Sequence, residues 1–285
     1  MRDQVASATV SPAAAERAPR SGGGAGIAAL EAAGDAAPAD LAALLDDFPG
    51  QRTAMLGWLQ AHRGNAVVAR VLEAERRELR AEARGDQPLT AEQQRQMWEA
   101  QTTIHGTADE SDRAVVLAEL VRLPEGVVRE VVRSGLRIKV CRNDITEIEP
   151  SLASRRPRGW AEGETFAGVP GAYHPPSRSV LVAVQGGRFA PGHGSAHLLF
   201  HELAHGLDAS TGASRSRAFR AAYQADQAGL PAYEQQAGNA GRSEAYAESF
   251  ARTYGGAPGA MAGSPALAGY WRDDEMTQAA GRSGR

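Results

Sequence analysis

Residues 201–205 read His-Glu-Leu-Ala-His, and no other stretch restricts the fold as much. The segment from Ser195 to Asp208 has no proline and carries Leu199, Phe200, Leu203 and Leu207. It predicts a mostly buried helix over 195–208 with Ser195 as N-cap. On that helix His201 and His205 stand one turn apart on one face, with Cβ atoms about 5–6 Å apart, close enough for both rings to reach one ion. Glu202 projects from a neighbouring angle, toward the open side of such an ion. Buried imidazoles need partners for their ring nitrogens. Other elements must therefore supply those partners, either as a hydrogen-bonded pair of core histidines or as a metal site.

The pentapeptide has the HExxH arrangement of zinc peptidases, with two imidazole ligands and a carboxylate that activates water. Such a site needs a third protein ligand and an open fourth position. A third histidine is excluded, because residue 208 is Asp and no histidine follows His205. A GTxxD segment that could supply an aspartate is also absent. Asp208, three residues after His205, could be a ligand or could hydrogen-bond groups at the helix end. Further on, 243–251 read Ser-Glu-Ala-Tyr-Ala-Glu-Ser-Phe-Ala. They predict a second helix with Ser243 as N-cap and Glu244 in the first turn, where the helix dipole favours a carboxylate. Glu244 and Glu248 share a face, which is mildly destabilising unless something positive lies opposite. A histidine-bound metal is such a partner. Glu244 would bind it, and Glu248 would accept a hydrogen bond from the free ring nitrogen of a liganding histidine. The alternative is a solvated acidic face.

HELAH followed by Glu-x-x-Ala-Glu-x-Phe-Ala resembles the anthrax lethal factor type of metallopeptidase, a gluzincin with two histidines and one glutamate on zinc. The stretches Pro157-Arg-Gly-Trp160-Ala-Glu-Gly163 and Val169-Pro-Gly-Ala-Tyr173 resemble the segment that leads into the active-site strand of bacterial relatives, so the likeness covers about 111–275. It implies His201, His205 and Glu244 as ligands of one zinc ion, Glu202 as general base, and Glu248 in a supporting role; Asp208, from its own place at the helix end, is expected in a supporting role as well. It also implies a tyrosine shortly before the ligand glutamate. Tyr233 is the nearest upstream one, separated by a short insertion over 235–241, and Tyr173 and His174 are alternatives on the opposite wall.

Composition removes other classes. The net charge is −3, which gives no basic footprint for nucleic acid. Positive charge is nearly all arginine, with Lys139 the single lysine. No apolar run approaches the roughly 20 residues of a membrane span, and the first residues carry no apolar signal segment. Cys141 is the only cysteine, so neither an intrachain disulfide nor a thiolate zinc cluster is expected.

Along the chain, 1–40 are rich in Ala, Gly and Pro and read as a disordered lead. Residues 41–105 read as a helical region: a helix through Ala54–Gln60, a Gly64-Asn65 turn, and a helix from Ala66 into the charged stretch 73–84. Part of this segment resembles a short motif in leader regions of bacterial toxins, some of them injection-system cargo. Thr90 and Gln93 form a capping box that opens a helix to about Thr102. The peptidase-like region is expected over 106–278, with helices at 111–121 and 124–133, and a loose tail over 279–285. Leu136–Cys141 and Arg178–Val184 read as strands. Segment 179–184 reads either as an ordinary core strand or as the edge strand for an extended substrate, which would place Tyr173, Val180 and Val182 along the substrate. Gly186–Gly194 is a glycine-rich loop. His193 and His197 could look like ligands, although capping or surface roles suit His197 better.

The fold expected is α+β: a zincin-like domain with a small mixed sheet, the HExxH helix and a second, glutamate-bearing helix, preceded by a helical region. The function expected is a zinc metalloendopeptidase acting on a protein or peptide substrate, as a toxin or injected effector. It would be exported without a signal peptide, through a secretion or injection apparatus. The rivals are a cytoplasmic regulatory peptidase that cleaves a repressor, and a catalytically inactive zinc-binding module.

Overall fold

The computed structural model describes residues 24–273 except 84, 86 and 158–161. Most of the expected lead (1–23), the Arg158–Ala161 part of the Pro-Arg-Gly-Trp stretch, and the tail lie outside the described residues. Among the described residues, no helix is long and apolar enough to cross a membrane. The chain divides into two compact units after Glu78.

The first unit holds α1 (Ala25–Ala32), α2 (Pro38–Asp47), α3 (Arg52–Arg63) and the start of α4 (Asn65–Glu82). The turn at Gly64 falls where the sequence placed it. The reading of 1–40 as disordered is corrected over 25–40, where α1 and the start of α2 are helical. Alanine favours helix, and one large side chain suffices to anchor it. Leu30 is fully buried with Leu41, Leu45, Met55, Leu59 and Val71. Gly26 lets the Met55 sulfur reach the α1 backbone, where a Cβ would stand 2.5 Å from it. Arg52 bridges to Glu75 at 2.7 Å.

The second unit begins earlier than the expected boundary at 105/106. Helix α5 (Ala91–Gln101) sends Met97 and Trp98 into the same core as the sheet. Its capping box forms as read, with Thr90 and Gln93 satisfying each other's amides. Then come β1 (Thr102–Ile104), α6 (Glu110–Leu120), α7 (Glu125–Ser134), β2 (Arg137–Cys141), β3 (Gly171–His174), β4 (Ser179–Gln185) and β5 (Arg188–Phe189). Four helices follow: α8 (Leu198–Thr211), α9 (Arg217–Asp226), α10 (Asn239–Gly255) and α11 (Pro265–Asp273).

The sheet order is β1-β2-β4-β3, with β5 on the far end of β4. β1, β2 and β4 are parallel; β3 runs antiparallel to β4, pairing Tyr173 with Val180. This corrects the expected edge. β4 is central, and Val180 and Val182 are fully buried, so neither can meet an extended substrate. Six of its seven residues are buried, the continuous apolar pattern of a strand covered on both faces. The edge beside α8 is β3. Ile138, Val140, Val180, Val182 and Val184 share one large core with α7, α8 and α10, and Leu181 packs with Ile145, Leu152 and Val169 in a separate cluster.

Candidate metal centre

α8 packs chiefly against α10 and lies over β3 and β4. Its N-cap is His197, whose Nδ1 accepts from the Phe200 amide at 3.4 Å, and not Ser195 as expected. The His197 ring stacks on Phe200 with centroids 4.0 Å apart, which fixes it as a cap. Ser195 pairs instead with His193. The helix ends at Gly212, whose amide reaches the Asp208 carbonyl. α10 begins at Asn239, earlier than the expected cap at Ser243. Gly241 allows its first turn to lie against the preceding backbone, where a Cβ would stand 2.4 Å from the Gln236 carbonyl oxygen. Glu244 therefore falls in the second turn.

The facing helices bring three donor atoms together. The Nε2 atoms of His201 and His205 are 3.1 Å apart. Glu244 Oε2 lies 3.5 Å from the first and 3.4 Å from the second. Donors on a tetrahedral zinc at about 2.0–2.1 Å stand about 3.3–3.4 Å from one another. The three edges match that spacing. Glu244 Oε2 is also buried without a hydrogen-bond partner, a costly state unless a cation or proton meets it. The residues present therefore fit a single divalent ion such as zinc.

Glu248, one turn along α10, takes the other nitrogen. Its Oε2 accepts from His201 Nδ1 at 3.0 Å. That bond sets the tautomer whose Nε2 lone pair is free for a metal. Glu248 Oε1 accepts from the Ala196 amide at 2.9 Å and lies 3.4 Å from Arg252 Nε. Arg252 in turn forms a two-point pair with buried Glu234. The charges are strongly coupled. Burial alone would lower the His201 pKa, but Glu244, Glu248 and Glu202 raise it to about 10. Burial would raise Glu244, yet the two imidazoles hold it well below the ordinary carboxylate range. Glu248 is likewise lowered, by His201 and the Ala196 amide, against the effect of burial.

Glu202 lies on the other side of the histidine pair. Its Oε2 accepts from the Tyr173 backbone amide at 2.6 Å, at the free edge of β3. Its Oε1 is 2.8 Å from His193 Nε2. Burial would raise its pKa, but His193, His201 and His205 pull it down to about 2, so it is an ionised carboxylate.

Of the other residues read from the sequence, Asp208 is directed elsewhere. Its Oδ1 accepts from the Ser214 amide at 2.7 Å and its Oδ2 from the Ser243 hydroxyl at 3.4 Å. It ties the end of α8 to α10 and is not in the cluster of potential ligands. The Tyr173 ring lies over Gly206, where a Cβ would stand 3.3 Å from it. His174 pairs with Ser177. Tyr233 sits in a turn, 55% exposed. His193, named from the sequence only as a residue that could look like a ligand, is brought to the cluster beside Glu202; a histidine between Gly192 and Gly194 was the available signal.

Residues 91–257, which contain every residue of this cluster, match the family model of the anthrax toxin lethal factor, N- and C-terminal domain. The Pro-Pro endopeptidase of Paenibacillus alvei is 32% identical over 107 residues, 36% of this chain and 48% of that protein. The chain thus spans about half the length of this curated relative. A solved structure of the Pro-Pro endopeptidase from Paenibacillus alvei is 24% identical and covers 61% of this chain and 97% of that one, with a TM-score of 0.49.

Proposed function

The chain belongs to the family of the anthrax toxin lethal factor, and from that premise we propose that it is a zinc-dependent endopeptidase acting on a protein substrate. The observation that carries the reading is the triangle of His201, His205 and Glu244 donor atoms with the ionised Glu202 carboxylate beside it.

His201 Nε2, His205 Nε2 and Glu244 would hold one zinc ion, which when bound supplies Lewis acidity, making water a better nucleophile and polarising a carbonyl. Glu202 would accept the proton that water gives up as its oxygen joins the scissile carbonyl carbon. It would then pass that proton to the departing nitrogen as the C–N bond breaks. Glu248 keeps His201 turned so that Nε2 faces the ion. The β3 edge offers its remaining backbone groups to an extended peptide, the Tyr173 amide being taken by Glu202. Tyr233, exposed in its turn, would reach the developing oxyanion only if substrate draws that turn inward.

The name of the Paenibacillus relative makes peptides with adjacent prolines the first substrates to offer. We also propose delivery to another cell as a toxin or effector. The supporting observation is kinship with a toxin family, and detection of the chain outside producing cells would test it.

The experiment is N-terminal mapping of cleavage products from a proteome and a Pro-Pro peptide library, with Glu202→Gln as control. The parent should hold one zinc and cut; Glu202→Gln should hold zinc and not cut; Glu244→Ala should lose zinc. Zinc bound with no cleavage beyond the control would leave a metal-binding interaction module. Undiminished zinc affinity in Glu244→Ala would remove Glu244 from the ligand set.

A further inference from the structure

We propose that His193 is the positioning residue for Glu202, presented by a loop that works only because glycine stands on both sides of it. The inference rests on the reading of Glu202 as the base.

His193 Nε2 is 2.8 Å from Glu202 Oε1, and Nδ1 is 2.9 Å from Ser195 Oγ. At that separation a hydrogen lies between the two atoms, with the ring N–H donating and the carboxylate oxygen accepting. Nδ1 is engaged by the Ser195 hydroxyl. Both ring nitrogens are used, and a nitrogen that bears a hydrogen cannot ligate a metal. The separation is a hydrogen-bond length, shorter than the spacing of donors around a tetrahedral ion. His193, His201 and Glu202 do form a second group with donor atoms close together, but this bond makes it a hydrogen-bonded pair beside the ion site. The ring stands edge-on to His201, with centroids 5.0 Å apart, which fixes its tilt as well.

The loop explains how the ring gets there. Gly192 has φ 102° and Gly194 φ 78°. A Cβ at either would meet nothing within 4 Å. These positions need glycine for backbone conformation, not for space. The two left-handed residues turn His193 back toward α8, and Ser195 then fixes the ring from the loop's own far side.

The consequence for Glu202 is geometric. The Tyr173 amide holds Oε2 at 2.6 Å and His193 holds Oε1, so two donors from two different elements fix the carboxylate plane. With His193 gone, one donor remains and the carboxylate can rotate. Misplacing a reacting group by an ångström costs on the order of 100-fold in rate, so a role through Glu202 alone would lower kcat and leave KM in place.

The test uses the full-length zinc-loaded protein with His193→Phe, which keeps a ring without a donor, and His193→Gln, which restores an N–H. His193→Phe should keep one zinc, lose kcat by on the order of 10- to 100-fold and leave KM within about twofold. His193→Gln should recover most of the loss. In a Glu202→Gln background, His193→Phe should change nothing further. Gly192→Ala, which keeps every side chain of the cluster but strains the backbone that presents His193, should lower kcat in the same way. Independently of activity, chelated protein should unfold at a lower temperature with His193→Phe, and this shift should vanish in a Glu202→Ala background. Parent-like kcat in His193→Phe, zinc lost in step with activity, or an unfolding shift that persists without Glu202 would each overturn the proposal. If the zinc-loaded parent cuts no peptide, the functional reading fails by itself, and the unfolding comparison still decides whether His193 holds Glu202.

Discussion

At the scale of single residues, Glu244 and Glu248 show how one helix face performs two tasks. They are one turn apart, yet Glu244 meets the Nε2 pair and Glu248 meets Nδ1 of His201 alone. Their spacing was legible in the sequence because i and i+4 positions must share a face. Glu248→Gln keeps the shape but loses one acceptor, so either the His201 N–H or the Ala196 amide goes unanswered. Zinc affinity should fall about 10- to 100-fold, which a competition titration against a chelator would measure; unchanged affinity would remove Glu248 from its role. Asp208 was less legible. Its distance from His205 along the chain allowed either a ligand or a cap, and only the Ser214 amide and the Ser243 hydroxyl decide for the latter. The Tyr233 position was set by resemblance alone, without any local pattern to fix it.

At the scale of elements, the centre depends on how closely α8 and α10 approach. Gly255, near the end of α10, faces the residue that caps α8. A Cβ there would stand 2.6 Å from three atoms of His197. That ring cannot move aside easily, since it stacks on Phe200, lies 3.4 Å from Glu119 and caps α8. Gly255→Ala should therefore cost about 1–3 kcal/mol, read as a lower urea midpoint with an unchanged m-value, and it should weaken zinc binding as the helices part. A midpoint equal to the parent's would mean that the ring yields. Helices with strong punctuation were legible: the capping box of α5 and the Gly64 turn fall where the residues put them. The starts of α8 and α10 were misplaced because serine is a generic cap, whereas a stacked histidine and a close backbone approach at Gly241 are tertiary facts. The strand at the edge was misassigned for a similar reason. Gly171-Ala-Tyr-His174 has no alternation to announce it, and Gly171 is admitted only because the Leu198 side chain comes so near that a Cβ would stand 2.6 Å from it.

At the scale of the whole molecule, the buried charges couple the centre to stability. In the metal-free chain His201 titrates at about 10, against roughly 6.5 for a free histidine. Its contribution to stability is complete below about pH 6.5 and is lost as pH rises toward 10. Glu244 and Glu248 are lowered, so their contribution is present above the ordinary carboxylate pKa of about 4.3 and is lost as pH falls. Chelated protein should thus be most stable between about pH 4.5 and 6.5. Zinc must displace the His201 proton, so its affinity should climb from pH 6 to 9. The gap between the unfolding temperatures of zinc-loaded and chelated protein should widen over that interval, and a constant gap would contradict the charge pattern. The α+β class, the small mixed sheet and the pair of facing helices were legible because they follow from periodicity and from two charged faces that need each other. The division after Glu78 was not, because α4 runs through it without a break and Met97 and Trp98 of α5 reveal their allegiance only in the folded core. The bond from the Tyr173 amide to Glu202 joins the edge of the sheet to the carboxylate beside the histidine pair. That single amide proton is consequently a built-in spectroscopic probe. Its chemical shift and its exchange with solvent deuterium register whether the carboxylate is charged, neutral or turned away, with no label added to the protein.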